Sequence, residues 1–246
     1  MILFYRSVLI IAATLLGSVL VVVLPKLNKK FFDLLLVFSG GFLLSFTLIN
    51  ILPGLLILNV NSNSMGIFVL IGFFFQILLN FFSGGADHGH TTECDHKNHM
   101  PNITLISLVI SVCLHAFLDG LVLNVPTLFG HKHLHNSYGL LTGVLLHRIP
   151  EAFVLSNLLL NVTKSRRTYI FCLCCFALTS PLGLCIGEII RVCVYRESIF
   201  AFIMAFVSGN FFHISTTILL ESSPGHYLHS KKLVAGLLGA LTVILF

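Results

Sequence analysis

Long apolar runs alternate with short polar breaks from one end of the chain to the other. Eight runs stand out, at about 2–24, 31–58, 65–82, 102–125, 136–161, 168–190, 198–221 and 231–246. Most approach or exceed the ~20 residues that a helix needs to cross a hydrocarbon core about 30 Å thick. Phe, Leu, Ile and Val occupy nearly all helical faces of each run, as in helices buried in protein or bathed in lipid. The runs are too long, and alternate too weakly, for barrel strands. Only helices and closed barrels satisfy their backbone in lipid. The pattern predicts an all-α polytopic membrane protein of eight transmembrane helices, a single transmembrane domain over residues 1–246. The first run is too long for a signal-peptide core and lacks a small-x-small cleavage site, so it reads as a retained helix. Gly40, Gly41, Gly143, Gly183 and Gly209 lie inside runs, where small residues permit close helix approach.

Composition sharpens this reading. The chain is 57% hydrophobic and only 9% charged, against roughly a quarter charged in soluble domains, so no stretch remains for a soluble domain. The net charge of +5 does not point to nucleic acid, because the basic residues sit in short loops. Loops after the odd-numbered runs hold nine of them: Lys26, Lys29, Lys30, Lys97, Lys164, Arg166, Arg167, Lys231 and Lys232. The opposite side holds Arg6, Lys132, Arg191 and Arg196. The positive-inside bias predicts extracytoplasmic termini, in a plasma or inner membrane. Cys94, Cys113, Cys172, Cys174, Cys175, Cys185 and Cys193 show no disulfide pattern. All but Cys94 lie in or beside apolar runs, where a thiol packs as a small hydrophobe.

One loop stands apart. Ser83 to Pro101 holds His88, His90, His96, His99, Asp87, Glu93, Cys94 and Asp95. It reads as a flexible cytoplasmic loop for loose metal capture, since imidazole suits borderline cations such as zinc. Its spacing fits no zinc-finger pattern. His131, His133 and His135 form a second group on the outer side, either an entry funnel or an ordinary polar loop.

Ionisable groups inside a membrane helix cost about 2.5–3.5 kcal/mol each on insertion scales, so they mark function. The fourth run carries His115 and Asp119, and the fifth His147 and Glu151. Each pair is four residues apart, hence on one helix face. Two imidazoles and two carboxylates suit a borderline divalent cation. Gly139, Gly143, His147 and Glu151 share a spacing of four, a small-residue stripe leading to the ligands. Pro150 between them removes a backbone donor and predicts a kink. Asn50, Ser180-Pro181, His213 and Glu221 are weaker polar signals; Ser180-Pro181 is expected to interrupt the sixth run, and water or a residue such as Ser180 to complete the metal shell. Glu188 and Arg191 read as an interfacial ion pair.

His115-Ala-Phe-Leu-Asp119-Gly120 and His147-Arg-Ile-Pro-Glu151-Ala152 resemble the signatures on helices four and five of the ZIP (zinc/iron-regulated transporter-like) family. Similar too are the eight-segment layout, the outward termini, the His-rich loop after the third run, and stretches around Pro53, Ser180 and Glu221. The resemblance implies eight helices in a 3+2+3 arrangement, with outer triplets related by inverted pseudo-symmetry around a midplane site. It implies transport of zinc, iron, manganese or cadmium toward the cytoplasm. Zinc or another divalent metal is then the substrate, and no prosthetic group is expected. Divalent metal ions and the bilayer are the expected partners, with a homodimer an open option. Some relatives hold a second metal through residues just after the two histidines. Here those places are Ala116, with no ligand atom, and Arg148, a fixed cation that would stand in the second ion's place. Asp119 occupies a position that is Glu in many relatives, and its shorter reach bears on metal preference.

Other classes fit less well. An intramembrane metalloenzyme with the same ligands needs a further general base, and the His-Glu-x-x-His pattern is absent. A haem protein using His115 and His147 leaves Asp119 and Glu151 unexplained. A cation-diffusion-type exporter generally has six helices and a soluble tail.

Overall fold

The computed structural model describes residues 1–23, 29–58, 60–83, 102–123, 134–163, 165–194, 197–221 and 230–245. The His-rich loop beyond Ser83 lies outside these residues, as do His131 and His133. All regular structure among the described residues is helical. Helix α1 is Ile2–Val23. Helix α2 runs Lys29–Phe46, widens into a π turn at Thr47–Ile51 and continues as Leu52–Ile57. Then come α3 (Ser62–Ser83), α4 (Asn102–Val122), α5 (Leu134–Val162), α6 (Arg166–Val194), α7 (Glu197–Glu221) and α8 (Ser230–Thr242), which ends in a 3₁₀ turn at Val243–Leu245.

Local chemistry explains the starts and irregularities. Asn61 caps α3, its Oδ1 accepting from the backbone N–H of Asn63 at 2.9 Å and of Ser64 at 3.4 Å. Ser165 caps α6 through the N–H of Thr168 at 3.4 Å. The π turn directly precedes Pro53, which has no N–H to donate. The N–H of Leu52 reaches back to the carbonyl of Thr47, one residue farther than in an α-helix.

Among the described residues, seven helices are long and apolar enough to cross a membrane. The eighth falls short of that expectation. Its 13 α-helical residues rise about 20 Å at 1.5 Å each. Helix α6 corrects a second expectation, for it runs unbroken through Pro181. Five residues before that proline, the carbonyl of Phe176 accepts from Thr179 Oγ1 at 2.9 Å and Arg148 Nη2 at 3.3 Å.

The bundle is inside-out relative to a soluble protein. Leu15, Leu16, Val19 and Val22 of α1, Ile67, Leu70, Ile71 and Phe74 of α3, and Phe171, Leu178, Leu182 and Ile189 of α6 are exposed. Polar Thr14, Ser18, Ser39, Thr47, Ser180 and Ser208 are buried. Such a surface is at ease only against lipid tails.

The most extensive contacts join α4 to α6, α3 to α7, α2 to α8 and α1 to α5. Each contact is made on glycine. A Cβ at Gly120 would collide with the carbonyl of Ser180, and one at Gly183 with that of Phe117, so α4 and α6 meet backbone to backbone. Gly72 and Gly209 do the same for α3 and α7, Gly41 and Gly239 for α2 and α8, and Gly17 for α1 against Ile149 of α5. Where one van der Waals layer is removed, dispersion between helices that lipid would otherwise separate becomes the attraction. Gly143 differs: its missing Cβ makes room for the ring of Phe42, 2.8 Å from the ideal position.

Gly183→Val should force α4 and α6 apart and cost about 1–3 kcal/mol, the usual overpacking penalty. Gly66→Ala, where the added carbon meets nothing within 4 Å, should be neutral. Thermal unfolding of the purified protein in detergent distinguishes them; equal melting temperatures would refute the backbone-contact account.

Candidate metal centre

His115 and Asp119 project from α4, and His147, Arg148 and Glu151 from α5; all five are buried. The four-residue spacing stacks each pair on one face. The His115 and His147 rings lie 5.8 Å apart between centroids, nearly perpendicular at 81°. His115 Nε2 is 3.5 Å from Asp119 Oδ2 and 3.9 Å from Glu151 Oε1. One donor atom each from His115, His147 and Glu151 lies within 4.8 Å of the others. Tetrahedral zinc with bonds near 2.0–2.1 Å spaces its ligands by roughly 3.3 Å, so contraction of these side chains would supply three of its four ligands. Asp119 adjoins His115 but stands outside that three-residue group.

None of the four imidazole nitrogens has a hydrogen-bond partner, nor has Asp119 Oδ1. Buried polar atoms are normally paired. Buried hydroxyls nearby follow the rule by bonding their own helix: Thr14 Oγ1 donates to the Ile10 carbonyl at 2.9 Å and Ser18 Oγ to that of Thr14 at 2.8 Å. Unpaired imidazoles facing a carboxylate are what a cation would satisfy.

Arg148 is fully buried beside this group. Its Nη1 donates to Glu151 Oε2 at 3.1 Å, its Nε to Thr14 Oγ1 at 3.2 Å, and its Nη2 to Ser180 Oγ at 2.5 Å and the Phe176 carbonyl at 3.3 Å. The guanidinium also lies 4.0 Å from the centroid of the Phe176 ring, a cation–π contact. Ser180 Oγ in turn donates to the carbonyl of Ala116 at 2.6 Å. Its hydroxyl thus bridges Arg148 and Ala116.

The weaker sequence signals fall elsewhere. Asn50 sits in the π turn, with Nδ2 unpaired. His213 packs edge-on to Phe73 at 5.2 Å. Glu188 and Arg191 form the expected pair, with Nε–Oε2 at 2.9 Å and Nη2–Oε1 at 2.5 Å. The side chain of Glu221 lies outside the described residues. Thr14 and Phe176 were missed. The available signal was Arg148 itself, whose five N–H donors require acceptors on neighbouring helices.

The model of the family described as ZIP zinc transporter matches residues 83–246. "Zinc transporter ZIP9" of Micropogonias undulatus is 24% identical over 176 residues, 68% of this chain and 54% of that protein. The chain thus spans about half the length of this curated relative. The family match takes in both helices that carry the histidines and well over half the chain. This protein belongs to the ZIP zinc transporter family.

Proposed function

We propose that the protein transports divalent metal ions, zinc foremost, across a membrane toward the cytoplasm, binding them between α4 and α5. The observation that carries this reading is the buried trio of His115, His147 and Glu151, whose donor atoms lie within 4.8 Å of one another. Two imidazoles and a carboxylate are borderline-to-hard donors suited to zinc, and less so to soft ions. Asp119 or a water supplies a fourth ligand. The family match favours a carrier of ions over the metalloenzyme with the same ligands. Iron, manganese and cadmium remain within reach of the same donors.

The whole chain acts as one transport domain, in a 3+2+3 arrangement with inverted repeats. Helix pairing supports this. Exchanging α1 with α6, α2 with α7, α3 with α8 and α4 with α5 turns the α4–α6 contact into α5–α1, and α3–α7 into α8–α2. Those are the four most extensive contacts in the bundle. Inverted repeats suit alternating access around a midplane site. The loop basic residues orient both termini outward, and the 83–101 loop is a cytoplasmic metal collector. One ion occupies the site, because Ala116 offers no donor and the Arg148 guanidinium repels a second cation.

Alanine at His115, Asp119, His147 or Glu151 should each reduce saturable zinc uptake at least tenfold while surface expression persists. Normal uptake by two of these variants would place the site elsewhere. Deleting residues 87–99 should leave uptake measurable, with a modest change in apparent affinity; complete loss in a well-expressed deletion would make the loop part of the pathway. Anomalous diffraction from zinc-soaked crystals should show one peak between α4 and α5. Two peaks about 3.5–4 Å apart, the two-metal spacing, would overturn the single-ion reading.

A further inference from the structure

Glu151 faces two ways. Its Oε2 accepts from Arg148 Nη1 at 3.1 Å, while its Oε1 is 3.9 Å from His115 Nε2. The guanidinium that holds Oε2 is itself clamped. Thr14 of α1 takes its Nε, Ser180 and the Phe176 carbonyl of α6 take its Nη2, and the Phe176 ring covers it. Ser180 is fixed in turn by the carbonyl of Ala116, the residue next to His115. A carboxylate pinned by one oxygen has only the other to offer a cation.

Accepting the transport reading above, we infer that Arg148 is a specificity-determining residue. It keeps Glu151 a one-oxygen ligand, so the site favours small four-coordinate ions over larger ions that need more donors. Two imidazole nitrogens, one Glu151 oxygen and one further oxygen from Asp119 or water make four, the number zinc prefers. Manganese prefers six oxygen-rich donors, and large cations commonly gain donors by chelating both oxygens of a carboxylate. Arg148 denies them that route.

This role differs from charge balance, which would change binding of every divalent ion alike, and from a purely structural clamp, which would change the amount of folded protein. Uptake of zinc and manganese is therefore compared as a ratio, in wild type, Arg148→Gln and Arg148→Lys. Arg148→Gln frees Oε2 and should raise the manganese-to-zinc ratio at least tenfold. Arg148→Lys retains the charge but lacks the planar fork that reaches Glu151, Thr14 and Ser180 together, so its ratio should also rise. An unchanged ratio in Arg148→Gln, or a Lys variant identical to wild type, would overturn the inference.

Because a fully buried arginine resists replacement, the wild-type protein supplies a second test. X-ray absorption at the zinc edge of the purified, zinc-loaded protein should show four nitrogen or oxygen donors at about 2.0–2.1 Å. Bound zinc with five or more donors overturns the inference and leaves the transport reading standing. Failure to bind zinc at all overturns both.

Discussion

A guanidinium cannot shed its proton, so burying Arg148 in an apolar bundle obliges several helices to turn acceptors toward it. Glu151 answers from the same helix, Thr14 from α1, and Ser180 with the Phe176 carbonyl from α6. Ser180 extends the network to the backbone of α4 at Ala116. One charge thereby ties together the two helices that bear the histidines and the two that flank them. The glycine contacts lie on the same surfaces. Gly17 meets the carbonyl of Ile149, next to Arg148, and Gly120, next to Asp119, meets that of Ser180. Close backbone approach puts the acceptors within reach, and the bonds in turn hold the helices at that distance.

The cluster also divides the labour among buried polar groups. Several serines and threonines of the interior settle their hydroxyls on carbonyls of their own helices, as at Thr47 and Ser208, while Ser111 and Ser180 reach carbonyls of neighbouring helices. All three guanidinium nitrogens of Arg148 donate. Among the described residues, the imidazoles of His115 and His147 present both nitrogens unpaired in a cluster with Glu151. Asn210 and Gln76 also bury unpaired amide atoms.

Much of this was legible in the chain. Hydropathy alone placed each helix to within a few residues, because bilayer thickness and the 1.5 Å helical rise act on local sequence. The paired spacing of His115 with Asp119 and His147 with Glu151 put each pair on one face for the same local reason. Errors arose where local rules met tertiary partners. Pro181 read as a break, yet the helix runs through it. The glycine stripe read as room for a neighbouring helix, and Gly143 admits the Phe42 ring of α2, a partner that only the packing names.

The sequence by itself determined that the protein is helical and lipid-bound, and which ionisable groups lie inside its helices, since periodicity and hydrocarbon thickness are properties of short segments. Only the tertiary structure decided what each buried group does there. Arg148 and Thr14 are 134 residues apart, and Ser180 and Ala116 are 64 apart. Whether such groups meet depends on which helices pack together, and that is set by glycine contacts summed over the whole bundle. The division of Glu151 between guanidinium and imidazole is therefore a property of the fold, written in no single segment.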